Sequence, residues 1–429
     1  MPPGTLAVMT VLSPAEATAT PLSGTTLPET PLRRNRDFLV VLIGQGVSSF
    51  GDAISATALP ILVLALTGSG FVMGIVGVLS TLPDLLIGLP AGAYADRWDR
   101  RRMMLFSDVG RAVLTALVPL SVWLAGPTLA VVLLVTFPLN VLRVLWLAAY
   151  TAAVPGLVGR EHVPRASGLF EAVFNIGWIV GPALAGLLTQ VIGPGPTIAI
   201  DAASFVVSAL ALFLVRRPLR AEARAEPTHI LSDVREGIRF VAGHRTLRSV
   251  LVLWTTMSVL TAGLGTAVIF FVTIDQALGS AAVGLVLSAF AVGSLLGALL
   301  AARLAVKAVG RAMLLGAVGT GGSLLVIAAG PSVAVMAAVA LLAGILNANM
   351  MVAYISLRTM LSPDALLGRV GATARTLSVG LMPVGSLVTG VLLDAVGGGL
   401  TLALMGGATL VMAAAFGLVP DVRRARLAV

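Results

Sequence analysis

The sequence predicts an all-α polytopic membrane protein, with twelve transmembrane helices in two pseudo-symmetric bundles of six. Three observations point there. Hydrophobic residues fill 58% of the 429 positions and charged residues only 11%, far from the composition of a soluble domain. Apolar runs long enough to cross a bilayer, which takes about 20 residues as a helix, recur along the whole chain, whereas barrel strands would give short alternating segments. Finally, the second half repeats the first.

The apolar runs lie at 38–66, 71–94, 103–125, 129–155, 166–192, 197–215, 249–273, 282–304, 312–329, 333–357, 370–395 and 400–419. Residues 1–32 are rich in Pro, Thr, Ser and Ala and contain no basic residue. They lack the positive start of a signal peptide and read as a disordered tail. Residues 33–216 form the expected N-terminal bundle, 217–248 a linker, 249–420 the C-terminal bundle and 421–429 a second tail. In the linker, SDVREGIRFVAGHRTLRSV sets Val234, Ile238 and Val241 on one face with charges opposite. That pattern suits an interfacial amphipathic helix and a plain connecting helix equally well.

Charge decides the orientation. All of the 28 Lys and Arg except Arg111, Arg143 and Arg375 flank the apolar runs on one side, and the connections on the other side contain none. By the positive-inside rule both termini are expected in the cytoplasm of a bacterial cell, the chain crossing the cytoplasmic membrane. The net charge of +9 therefore follows topology rather than nucleic-acid binding. The chain has no cysteine, which excludes disulfides, thiolate metal sites and cysteine nucleophiles.

The repeat is sparse but ordered. A shift of 204 positions places Tyr150 on Tyr354, Arg165 on Arg369, Glu171 on Arg375, Gly186 on Gly390 and Gly193 on Gly397. A shift of 210 places Gly74 on Gly284, Arg97 on Lys307 and Arg101 on Arg311. Parallel six-helix repeats with a path between them are an architecture of secondary transporters.

Between the second and third runs stands GAYADRWDRRRMM, Gly92–Met104, in which Gly92 is followed four residues on by Asp96 and Arg97 and then by the basic pair Arg100 and Arg101. With GQGVSSFGDAISATALP at Gly44–Pro60 and GWIVGPALAG at Gly177–Gly186, the chain resembles the major facilitator superfamily over residues 33–425, in its drug and siderophore exporter branch. Asp99 departs from the motif, standing where glycine is usual. The resemblance implies a conformational latch of Gly92, Asp96, Arg97 and Arg101, and Asp108 and Arg111 are assigned to the same latch. In it the Asp96 carboxylate meets the positive N-terminal end of the eleventh helix, near Gly368. It also implies that Gly177, Gly181, Pro182 and Gly186 form an antiporter-like motif. Glycines four apart allow close helix packing, and Pro182 removes a backbone bond. Arg143 matches an arginine that the family associates with proton transfer, although Trp146 and Leu147 stand where Gln and Gly are expected.

Ionisable groups inside apolar runs cost several kcal/mol unless paired or wet, and so mark function. Asp52, Asp84 and Arg143 lie near mid-membrane and are the expected coupling residues for protons. Asp108 and Arg111, one helical turn apart, are expected to pair. Glu171 and Arg375, equivalent under the repeat, are expected to pair as a cytoplasmic gate in an outward-facing state. Asn175, Asn347, Asn349 and Tyr354 are polar at membrane depth and are candidate substrate contacts.

The chain's one lysine, Lys307, is followed by Ala308, so no Walker A loop exists. The three histidines fall in linking segments without metal-ligand spacing, and no nucleophile–base pair stands out. An enzyme is not expected, nor a cofactor or metal beyond the proton gradient. The expectation is a monomeric secondary transporter that exports a small amphiphilic molecule (a drug, antibiotic or siderophore) by proton antiport through alternating access. Its partners are that substrate, protons and the lipid bilayer, with no nucleic acid. Uptake of a nutrient by symport, and a non-transporting membrane sensor or assembly partner, are the alternatives.

Overall fold

A computed structural model of the chain describes residues 32–126, 128–216, 219, 230–304, 308–363 and 366–426. The expected N-terminal tail apart from Leu32, most of the early linker, Lys307 and the Asp96 side chain lie outside what is described.

Apolar composition and local caps set the helices. Asn35 caps α1 (Arg36–Thr67), accepting from the Phe38 N–H at 3.1 Å, and its Nδ2 also donates to the Leu157 carbonyl at 2.9 Å. Ser69 caps α2 (Gly70–Arg97), and Asp99 caps α3 (Arg100–Trp123) by accepting from the Arg102 N–H at 3.1 Å. These side chains satisfy donors that a helix start leaves open. The first half continues with α4 (Thr128–Val158), α5 (Val163–Ile192) and α6 (Pro194–Leu214). A short helix, α7 (Ile230–Gly243), follows and packs on the helix that begins at Leu367, where Glu236 pairs with Arg369. The seventh crossing is composite: α8 (Arg245–Thr261), α9 (Leu264–Phe270) and a π turn over Phe271–Asp275. Then come α10 (Ser280–Leu304), α11 (Val309–Ala328), α12 (Val333–Leu361), α13 (Leu367–Gly380), α14 (Met382–Gly417) and α15 (Pro420–Arg423).

Eleven stretches among the described residues are long and apolar enough to cross a membrane. The last of them, Leu367–Gly417, has 51 residues, which at 1.5 Å each gives about 75 Å, more than twice the hydrocarbon thickness. Gly397, at φ 80° and ψ 173°, turns the chain back inside it, so this stretch makes two crossings and the total is twelve. Gly193, the equivalent of Gly397 under the repeat, adopts φ 84° and ψ 163° between α5 and α6. Only glycine occupies this region freely, so the repeat reuses both the residue and its backbone conformation.

Within the first half α1 packs on α5 and α6, and α4 on α2 and α3; within the second, α12 packs on α10 and α11. The halves meet along α5–α10 and α2–α14. On the side away from the arginine-rich ends, one buried cluster runs through both halves, from Leu62 and Met73 to Phe271, Val283 and Leu393. Towards the arginine-rich side the buried residues form two separate clusters, around Phe38, Met104 and Phe170 in the first half and around Leu253, Met313 and Met350 in the second. Apolar surface is thus joined across the halves at one end and parted at the other.

Candidate functional site

The parting encloses a cavity of about 720 Å3, a volume that holds a drug-sized molecule. It runs from Asp84 to Gly92 and Ala95 near the end of α2, and its walls include Leu147 of α4, Glu171 of α5 and Arg375 of α13. Asp84 is the polar junction of this space. Its Oδ2 accepts from the Arg143 guanidinium, and its Oδ1 lies 3.7 Å from Arg375, an arginine of the other half. Asn140 Oδ1 accepts from Arg143 Nε at 3.1 Å and holds that arginine in place. Glu171 faces the same cavity and forms no ion pair among the described residues. Asp84 and the two expected gate residues therefore line one space, with Arg143 bound to Asp84 beside it and Arg375 against Asp84 in this conformation.

A second charged group lies between α1, α3 and α6. The Arg111 guanidinium pairs with Asp52 and stacks 4.0 Å from the Phe205 ring centroid. The expected bond between Arg111 and Asp108 is thus replaced. Arg111 reaches across to α1, and Asp108 Oδ2 instead accepts from Ser208 Oγ at 2.7 Å. A charged side chain spends its reach on the partner that relieves the most burial, and helix neighbours one turn apart need not be that partner. Asp201, 2% exposed, joins this group. Its Oδ1 and Ser204 Oγ fill the space where a side chain at Gly51 would stand, beside Asp52. Asp201 went unrecognised in the sequence, although an acid in the apolar AIDAASF carries the same signal as Asp52.

The motif residues take structural stations. Gly92 lines the cavity, Arg97 is exposed, and Arg101 donates from Nε and a terminal nitrogen to the carbonyls of Leu212 and Phe213 at 3.0 and 2.6 Å. A cation there meets the carbonyl end of α6, where it is electrostatically favoured. Gly177 and Gly181 lie against the α1 backbone at Ser49–Phe50 and Ala53. Next to Pro182, the Ala183 N–H donates to Ser288 Oγ of the other half at 2.9 Å. None of Asn175, Asn347, Asn349 and Tyr354 is among the described residues lining the cavity. Asn175 and Asn349 donate to carbonyls of their own helices, and Tyr354 is buried in a stack on Trp254 with centroids 4.8 Å apart.

Opposite the cavity the halves close at two crossings of glycine on glycine. A Cβ at Gly74 would come within 3.1 Å of the Gly390 Cα, and one at Gly186 within 2.9 Å of the Gly284 Cα. These are the pairs that the two sequence shifts relate, exchanged between halves.

Against this geometry, the sequence model of the transmembrane secretion effectors matches residues 26–426. The chain belongs to that family. Transmembrane secretion effectors are major facilitator proteins. It is 31% identical over 241 residues to the multidrug efflux pump Tap of Mycobacterium tuberculosis (strain ATCC 25618 / H37Rv), covering 52% of this chain and 54% of Tap. It is 26% identical over 219 residues to macrolide efflux protein A of Streptococcus pyogenes, covering 51% and 54%. The chain thus spans about half the length of the curated relatives it matches. Among solved structures it is similar in fold to the nucleoside transporter NupG, with a TM-score of 0.73 at 13% identity over 89% of this chain and 98% of that one. A bacterial homolog of the human lysosomal transporter Spinster, in an inward-facing and unoccupied conformation, gives 0.71 at 16% identity over 92% and 99%.

Proposed function

We propose that this transmembrane secretion effector exports a small amphiphilic molecule by proton antiport through alternating access, as a monomer with its arginine-rich side in the cytoplasm, and that the structure is its inward-open state. One observation carries the reading: the cavity lies on the arginine-rich side, at Asp84, while the far side is closed by two glycine crossings. Its walls combine apolar Leu85, Val144 and Leu147 with the charges of Asp84, Glu171 and Arg375, which suits a compound with both an apolar body and a polar group. The efflux named in the relatives Tap and macrolide efflux protein A supports the direction.

Asp84 is the coupling group in this scheme, with Arg143 beside it. As a carboxylate in the inward-open state it attracts arginines from both halves. A proton taken up from outside brings the emptied protein back to this state and then leaves to the cytoplasm, and a substrate whose polar group competes for Asp84 frees Arg375 and α13 to move. Freed, Arg375 meets Glu171 as the cytoplasmic side closes. Asp52, paired with Arg111, is the second coupling candidate, placed behind the cavity wall. For Asp96 the expected meeting with the start of the eleventh crossing stays part of the proposal.

Everted membrane vesicles test this. A radiolabelled macrolide and a fluorescent amphiphilic dye are the probes, with an imposed pH gradient as the drive. At least one probe should accumulate with the gradient and stop when a protonophore is added, and Asp84→Asn should abolish that accumulation at unchanged expression. Gradient-independent accumulation, or an Asp84→Asn protein as active as the original, would contradict antiport through Asp84.

A further inference from the structure

The two closures on the far side are related by the repeat, yet they differ in charge. In one, the α10 start meets α5: the Ala281 N–H donates to Gln190 Oε1 at 3.2 Å, and Ser280 Oγ donates to the Gly186 carbonyl at 2.8 Å. In the other, the α2 start meets α14 at Asp394, which is Gln190 shifted by 204, and at Phe71, which is Ala281 less 210. There the Phe71 N–H donates to Asp394 Oδ2 at 3.1 Å, the Gly70 N–H to Oδ1 at 2.5 Å, and Ser69 Oγ to Oδ2 at 2.6 Å. The same contact is thus made once by a neutral amide with a single bond and once by a carboxylate with three. A carboxylate at a helix N-terminus gains from the open N–H groups and the helix dipole, and an amide oxygen gains less. Ser69 has no counterpart hydroxyl, since Gly279 occupies its equivalent position.

We propose that Asp394 is a positioning residue for transport: its three bonds to the start of α2 form the stronger of two outer latches and bias the resting protein towards the inward-open state. The proposal rests on the alternating-access reading. Every one of these bonds joins the two halves, so each must break when the outer side opens. Among the described residues each crossing carries three hydrogen bonds between the halves, those of α5–α10 from Ala281, Ser280 and Ala183 to neutral partners and those of α2–α14 to the Asp394 carboxylate, so the uncharged crossing yields more easily and leads the opening. Asp394 is exposed, shortly before the Gly397 break in α14, and is not among the residues lining the cavity, so it acts on the balance between states and does not touch a substrate there.

The chain contains no cysteine, so one introduced at Leu147 on the cavity wall reports access directly. Intact cells are treated with a membrane-impermeant maleimide, without substrate or an imposed gradient. Asp394→Asn is expected to raise the labelling rate at that position by about two- to fivefold, Ser69→Ala to raise it in the same direction, and Gln190→Ala to raise it by less than half as much. Thermal unfolding of each purified variant should fall by no more than the small energy that the labelling shift implies, because a purely structural role would lower stability without changing access. The proposal is overturned if Asp394→Asn and Ser69→Ala leave labelling at the parent rate, or if Gln190→Ala equals Asp394→Asn. Labelling needs neither proton coupling nor a known cargo, so a vesicle assay without flux would sink the antiport scheme and leave this result standing.

Discussion

Asp99 stands where the resemblance in the loop motif leads one to expect glycine, and its carboxylate accepts from the Arg102 N–H as the cap of α3. A capping acid replaced by alanine loses about 1 kcal/mol, and replaced by glycine only a few tenths. Asp99→Gly and Asp99→Asn should therefore unfold near the parent temperature, with Asp99→Ala measurably below. Arg111 and Asp52 form the more buried of the two mid-membrane pairs. Removing one partner of a buried pair strands the other, at a cost of about 3 kcal/mol or more, while removing both costs less. Arg111→Gln should accordingly lower the unfolding temperature, and adding Asp52→Asn should restore part of it. At this scale the charges at Asp52, Asp84, Asp108, Arg111 and Arg143 were legible, because an ion in an apolar run stands out. Their partners were not, since Arg111 turns to Asp52 and Asp84 gathers arginines from two helices and both halves. Asp394 closes an apolar run and looks like a loop residue until α2 is placed against it.

Crossings that bring backbones together explain why glycines recur at fixed offsets. At Gly390 a Cβ would stand 2.7 Å from the Gly70 carbonyl and 2.9 Å from the Gly74 Cα. A larger side chain there has no room unless α2 and α14 separate. Gly390→Leu is expected to hold the far side open, increasing maleimide access to the cavity from outside and abolishing transport, with the helices still inserted. Gly397 differs in kind: its φ of 80° and ψ of 173° lie in a region that costs other residues about 1–3 kcal/mol. Gly397→Ala should lower stability by that order, read as a fall in unfolding temperature, with little change in which side of the cavity is open. The twelve crossings, the repeat and the arginine-rich ends followed from hydropathy and charge. The π turn at Phe271–Asp275 and the break between α13 and α14 did not, because the surrounding residues remain apolar throughout and only packing interrupts the helix.

For the whole molecule, one hydrophobic cluster spans both halves on the far side and two separate clusters face each other across the cavity. Transport by this arrangement requires the joined end to part as the parted end joins. Arg375 would then exchange Asp84 for Glu171, so single charge reversals at Glu171 and Arg375 should impair transport and the double reversal should restore some of it. Fold class followed from the sequence because it depends on composition summed over many residues. Which ends of the halves are joined and which are parted did not, since that depends on how the apolar runs pack against one another and not on their composition. Spin labels on cysteines introduced at Phe71 and Val391, and separately at Leu169 and Leu377, read both ends of that movement. On adding a transported compound and an acid exterior in proteoliposomes, the account predicts that the Phe71–Val391 distance lengthens while the Leu169–Leu377 distance shortens. If the two distances change in the same direction, or neither changes while transport proceeds, alternating access between these two closures is contradicted.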